Sequence, residues 1–329
     1  MCSQFLVQAC LRNSRIYIWF VVAKLSDEPR NNLKYKIVDT NNNKKMKKIG
    51  IGFLLIAVFS CSISKRIERG NVIPLNFYEK IDYTTAKGLL LIPCEFEGVT
   101  KNYLFDTGAQ ITSIQRTSLR GKKIKVRGAS NRSIENGTET LKSFKINNIN
   151  FRNTFATNED MQGLKEQIPN FGGILGRTII DRANWLINIP NKVLEISNSE
   201  LSDDSFTDII LDESNGAPYT TIRVDEVEYK AILDLGSIAM LNVPKNTELA
   251  VELMNKYNFK SQTRERYTVG GLQSITEQVC TIPSIQFGEL VIENVDVTIN
   301  ESSQIRVGMN LFKNNIVYID NLNKKYRIK

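Results

Sequence analysis

The chain carries one pattern twice, and that repetition constrains its fold more than any other feature. Tyr103-Leu104-Phe105 runs into Asp106-Thr107-Gly108, and Ala231-Ile232-Leu233 runs into Asp234-Leu235-Gly236-Ser237. Each reads as a buried strand that delivers one carboxylate into a tight turn opened by a glycine. A strand-and-turn segment precedes each, at 88–98 before Asp106 and 218–227 before Asp234. Downstream, Gly173-Ile174-Leu175-Gly176 answers Ile305-Arg306-Val307-Gly308. A short amphipathic stretch and a closing β pair follow in both copies, 184–188 with 193–196 and 315–320 with 326–328, each joined at an Asn-Lys turn. The aspartates lie 128 residues apart and the later glycines 132, a shared offset that points to internal duplication. An isolated Asp before Gly at a strand end is usually a turn former that bonds its own backbone. Repetition is what makes these two a pair.

The duplication predicts a mainly all-β chain built as two tandem lobes, 86–198 and 208–329, joined by a polar linker at 199–207. Helix is sparse, and 247–256 behind Asn246 is the clearest case. Thr268-Val269-Gly270-Gly271-Leu272 reads as a glycine-tipped hairpin, and Gly128 in Val126-Arg127-Gly128-Ala129-Ser130 as a second, weaker one; either is also compatible with a plain β-turn.

Composition narrows the chemistry. There is no histidine, which removes Ser-His-Asp and Cys-His catalysis and His-ligated zinc, and no metal or cofactor is expected. Of the net charge of +8, +7 belongs to the leader. Residues 1–61 carry ten Lys/Arg against three Asp/Glu, whereas the remainder carries 33 against 32. The body therefore lacks the electrostatic footprint of a nucleic-acid binder. Cys94 and Cys280 are the cysteines of the body, read as two separately buried thiols, with a disulfide as the alternative.

Met46-Lys47-Lys48, an eleven-residue apolar run at 49–59 and then Ser60-Cys61 form a signal-peptide pattern at 46–61. The run is too short to span a bilayer. Val58-Phe59-Ser60-Cys61 resembles a bacterial lipobox, which implies a lipid on Cys61 and a membrane-anchored protein of the cell envelope facing the periplasm. Residues 1–45 then read as sequence upstream of the true start, and 62–85 as a tether.

The strand Leu104-Phe105-Asp106-Thr107-Gly108-Ala109 with Ile174-Leu175-Gly176, and Leu233-Asp234-Leu235-Gly236-Ser237 with Val307-Gly308, resemble the retropepsin-like aspartic proteases. This is the fold of retroviral and pepsin-type enzymes. The resemblance covers about residues 86–329, twice, in the manner of tandem-lobed bacterial lipoproteins. It implies closed β-barrel lobes and a monomeric pseudo-dimer. It also implies a peptide or protein substrate, and a water activated between Asp106 and Asp234 at mildly acidic pH. Two close carboxyls do not both ionise, so one donates to the carbonyl oxygen while the other takes the proton of the water. Thr107, Gly108 and Gly236 would support the dyad, and Gly270 and Gly271 would tip a flap.

Leu235 departs from the family pattern, which places Thr or Ser there to bond across the dyad. Thr107 supplies that hydroxyl and Leu235 does not, so half of a buried cross-brace is lost. Two functions follow: an envelope aspartic endopeptidase, or a protein that keeps the fold and binds peptides without cutting them. A third arrangement, in which two chains pair Asp106 with Asp106, is less economical because the second lobe already provides a partner.

Overall fold

The computed structural model describes residues 5–12, 15–22, 65–128, 133–212, 217–268 and 271–329. The chain falls into two units, Met1–Ala57 and Val58–Lys329. In the first, Phe5–Arg12 and Arg15–Val22 pair antiparallel. The signal-peptide pattern and Cys61 lie outside the described residues. No helix among the described residues is long and apolar enough to cross a membrane.

The second unit is mainly β, as the sequence predicts. The duplication is visible in its strand order. In the first repeat, Leu89–Phe96 pairs with the Asp106 strand Val99–Phe105, followed across the sheet by Phe171–Leu175, Thr112–Gln115, Thr154–Glu159, Ser133–Leu141 and Ile124–Arg127. In the second, Tyr219–Val224 pairs with the Asp234 strand Val227–Asp234. Arg306–Gly308, Leu241–Pro244, Leu290–Asn300, Gly271–Phe287 and Lys260–Thr268 follow in the same order. Strand sense repeats too: each Asp strand runs parallel to the strand holding the downstream glycine motif. Such parallel neighbours, buried on both faces, are near-continuous apolar runs, which is why Tyr103-Leu104-Phe105 and Ala231-Ile232-Leu233 lack a polar alternation.

The two closing pairs meet. Asn184–Asn188 pairs antiparallel with Ile316–Asp320, so that Trp185 lies opposite Ile319 and Ile187 opposite Val317. The result is a six-stranded sheet that draws strands from both repeats. Trp185 is fully buried in it, donates from its indole to the Ile180 carbonyl at 2.7 Å, and packs edge-on against Phe105 at 5.2 Å between ring centroids. The residue just before Asp106 is thereby locked from below.

Two expectations need correction. Residues 62–85, read as a tether, are built into the fold from Asn71 onward. Asn71–Ile73 pairs with Ile149–Arg152, and Tyr78–Asp82 pairs with Val193–Ser197, at the edge of the six-stranded sheet. The physical reason is a short period-2 pattern in which Ile81 and Tyr83 are buried between exposed polar residues. The helix Glu248–Lys256 is capped by Thr247 rather than Asn246: the Thr247 hydroxyl accepts from the Ala250 amide at 3.3 Å. Cys94 and Cys280 are free thiols, the first buried in its strand, so the separate-thiol reading holds over the disulfide.

Candidate active site

Asp106 and Asp234 come together at the floor of a cleft of about 940 Å³. Each carboxyl is held by its own turn. The Gly108 and Ala109 amides donate to Asp106 Oδ1 at 2.8 and 2.9 Å, and the Gly236 amide donates to Asp234 Oδ1 at 3.1 Å. The downstream glycine motifs brace these turns in matching fashion. The Arg177 amide donates to the Ala109 carbonyl at 2.8 Å, and the Met309 amide donates to the Ser237 carbonyl at 2.7 Å. In each repeat the acceptor is the third residue after the aspartate.

Each turn's glycine also lies against the opposite carboxyl. A Cβ on Gly108 would come within 2.8 Å of Asp234 Cγ, and one on Gly236 within 2.3 Å of Asp106 Cγ. Any side chain at either place would push the two acids apart.

The cross-brace expected of Thr107 is present, and it is one-sided. Its hydroxyl donates to the Leu233 carbonyl at 2.7 Å and accepts from the Leu235 amide at 2.9 Å, clamping the two repeats at the base of the dyad. Leu235 is fully buried and brings only carbon to the mirror position. Among the described residues no hydrogen bond reaches the Thr107 amide.

The sequence reading missed one residue of the site. Arg306, buried with 8% of its surface exposed, donates from Nη1 to Asp234 Oδ2 at 2.7 Å. Its counterpart in the first repeat is Ile174: Asn242 pairs with Arg306 as Ser113 pairs with Ile174. The signal was available as a lone charge in a strand whose other copy is wholly apolar. Arg306 makes the dyad unequal. Asp106 is raised to about 8 by burial, by the charge of Asp234 and by the hydrogen bond between the two carboxyls, with the Arg306 charge opposing. The guanidinium sits on Asp234, so Asp106 is the member that holds the shared proton through neutral pH.

Two hairpins border the cleft. Ile124 and Val126 line it from the hairpin of the first repeat, and Arg264 and Glu265 from that of the second. In the second hairpin Thr268 pairs with Gly271, so Gly271 opens the returning strand, while Gly270 lies outside the described residues. Gly128 lines the cleft at the end of the first hairpin strand. No protein-family model matches the chain, and a search of curated proteins finds no match.

Proposed function

We propose that the chain is an aspartic-type endopeptidase of the retropepsin-like kind, with both catalytic carboxyls supplied by one polypeptide. The reading rests above all on the meeting of Asp106 and Asp234, delivered by two equivalent strand-end turns to one cleft floor. An extended peptide would lie between the two hairpins, across the dyad. Asp106, holding the proton, donates to the carbonyl oxygen of the scissile bond, while the Asp234 carboxylate takes a proton from the attacking water. The new C–O bond forms as the carbonyl π bond opens to a gem-diol. Collapse of that intermediate breaks the C–N bond: the amine leaves with the proton Asp234 received, and one gem-diol hydroxyl returns its proton to Asp106 as the carboxyl product forms, which restores the starting dyad. Because Asp106 keeps its proton to about 8, cleavage is expected to extend into the neutral range and fail above it.

Two observations favour a second reading. The guanidinium of Arg306 occupies Asp234 Oδ2, an oxygen otherwise open to an attacking water, and Leu235 leaves the cross-brace half made. On this reading the cleft binds peptides without cutting them. The two are separated by incubating the protein with a reduced, carboxymethylated protein from pH 4 to 8 and following new peptides by mass spectrometry. Cleavage that is lost in Asp106→Asn and blocked by a statine-type inhibitor supports the peptidase. Cleavage unaffected by Asp106→Asn defeats the dyad assignment, and binding without cleavage at any pH favours the second reading.

We also propose that the protein is anchored to the cell envelope through a lipid on Cys61, facing the periplasm, on the pattern of residues 46–61. Metabolic labelling with palmitate tests this: label is expected on the protein and absent from Cys61→Ala.

A further inference from the structure

The cleft contains a third buried carboxyl, which the proposed reaction does not use. Glu159 has 5% of its surface exposed, and its Oε1 accepts from Ser113 Oγ at 2.8 Å and from Asn136 Nδ2 at 3.1 Å. All three residues line the cleft. Ser113 pairs with Ile174, next to Leu175, whose carbonyl receives the Asp106 amide at 3.0 Å. One strand, Phe171–Leu175, therefore separates Ser113 from the Asp106 strand, and Glu159 and Asn136 follow on the next two strands of the sheet.

The second repeat contains the same buried pair with its members exchanged. Asn136 precedes Gly137, which pairs with Asn158, next to Glu159; Glu277 precedes Gln278, which pairs with Ile299, next to Asn300. Asn136–Glu159 thus corresponds to Glu277–Asn300, and Asn300 Nδ2 donates to Glu277 Oε2 at 3.3 Å. The difference is in counter-charge. Glu277 receives the guanidinium of Arg264 from the hairpin strand. Glu159 receives none among the described side chains, and across the hairpin from Asn136 stands Ile124. Nor do the other cations of the cleft supply one. Arg306 is committed to Asp234, Lys87 bonds Gln167, and Lys125 is exposed, with its side chain alternating away from Ile124.

The site thus combines a carboxyl without a cation and, beside it, an acceptor without a donor. A buried carboxyl without a cation is costly, and the neighbouring Asn136 Oδ1 is buried with no hydrogen-bond partner among the described residues. Ile124 and Val126 furnish an apolar wall beside them. Two acceptors at the end of an apolar wall match a long basic side chain, whose methylene stem packs while its head is bonded. We propose that Glu159, Asn136 and Ser113 form a specificity pocket for a lysine or arginine side chain of the bound peptide, close to the bond at the dyad. This rests on the reading of the cleft as a peptide site.

The test uses the full chain carrying Asp106→Asn, so that no probe is cut. The probes are fluorescein-labelled ten-residue peptides of otherwise apolar and serine residues, with lysine, arginine, norleucine or glutamate at one position scanned along the peptide. Fluorescence anisotropy reads the affinity. At one position lysine and arginine are expected to bind about tenfold tighter than norleucine, the worth of one charge-assisted bond. Adding Glu159→Gln is expected to remove that preference while norleucine binding is retained, and adding Glu277→Gln is expected to leave it intact. Equal binding of lysine and norleucine at every position, or a preference that survives Glu159→Gln, overturns the pocket and leaves the peptide site standing. Absence of binding by every peptide, with cooperative thermal unfolding intact, overturns both.

Discussion

Arg306 Nη1 lies 2.7 Å from Asp234 Oδ2, at the place where the first repeat has Ile174. A duplicated, nearly symmetric site is thereby made unequal by one side chain. Two like carboxyls at the ends of matching strands are distinguished by a cation that only one of them holds.

Replacing that cation with an apolar side chain of similar length is expected to destabilise the protein. Arg306→Met leaves Asp234 buried beside Asp106 without a counter-charge, and breaking a buried pair from one side costs about 3–5 kcal/mol. Urea unfolding at pH 7 checks this: a variant as stable as wild type would sink the assigned pair.

Asp106→Asn is expected to move stability the other way. A carboxyl whose folded-state value is raised keeps its proton in the native state while the unfolded chain gives it up, so stability falls as pH rises between the two values. For Asp106 that window runs from the ordinary carboxyl range near 4 to about 8. Asparagine does not titrate, so the variant should gain stability relative to wild type across this window and match it below. Thermal melts at pH 3.5, 6 and 8 would expose a failure as a constant difference.

Thr107→Val removes a hydroxyl that both donates and accepts across the repeats. The Leu233 carbonyl and Leu235 amide would be left buried without partners, at roughly 1–3 kcal/mol for each group. Thr107→Ser keeps the hydroxyl and should cost far less. Denaturant unfolding of the two variants distinguishes loss of the brace from loss of packing, since valine matches threonine in shape.

How far the site could be read from sequence depends on whether the cause is local. Asp106 and Asp234 were legible because strand-end acid, glycine and downstream glycine recur at a fixed offset, and the structure brings them together. The closing pairs 184–196 and 315–328 were legible as hairpins. That Trp185 would lie opposite Ile319 was not, since pairing between strands more than 130 residues apart leaves no period in either. Arg306 lies inside the Ile305-Arg306-Val307-Gly308 motif, but its role is not legible there, because its partner is fixed only by the parallel pairing of its strand with that of Asp234. Residues 71–86 escaped notice as strands because each piece is short and half polar. The exchange of Asn136–Glu159 for Glu277–Asn300 was hidden for another reason: an alignment of the repeats by residue type sees two mismatches where the fold keeps one interaction.

That exchange yields an internally controlled prediction. Burial holds the Glu159 carboxyl above the ordinary range, with the Ser113 and Asn136 hydrogen bonds opposing. Burial also pushes Glu277 upward, yet the hydrogen bonds from Arg264, Asn300 and Gln262 together with the Arg264 charge outweigh it, and its carboxyl lies below the ordinary range. The signs of linkage are therefore opposite. Glu159 lowers stability as pH rises above its unfolded value, whereas Glu277 contributes stability above its unfolded value and loses it as pH falls through the folded one. Glu159→Gln should raise the melting temperature at pH 7 and change little at pH 4. Glu277→Gln should lower it at pH 7, because Arg264 then loses its partner, by a margin that shrinks on acidification. Melts of the two single variants at both pH values suffice, and shifts of the same sign at pH 7 would refute the contrast. A carboxyl that costs stability in the empty cleft is one that a bound cation would relieve, so the same melts repeated with a lysine peptide should show a larger upward shift for wild type than for Glu159→Gln.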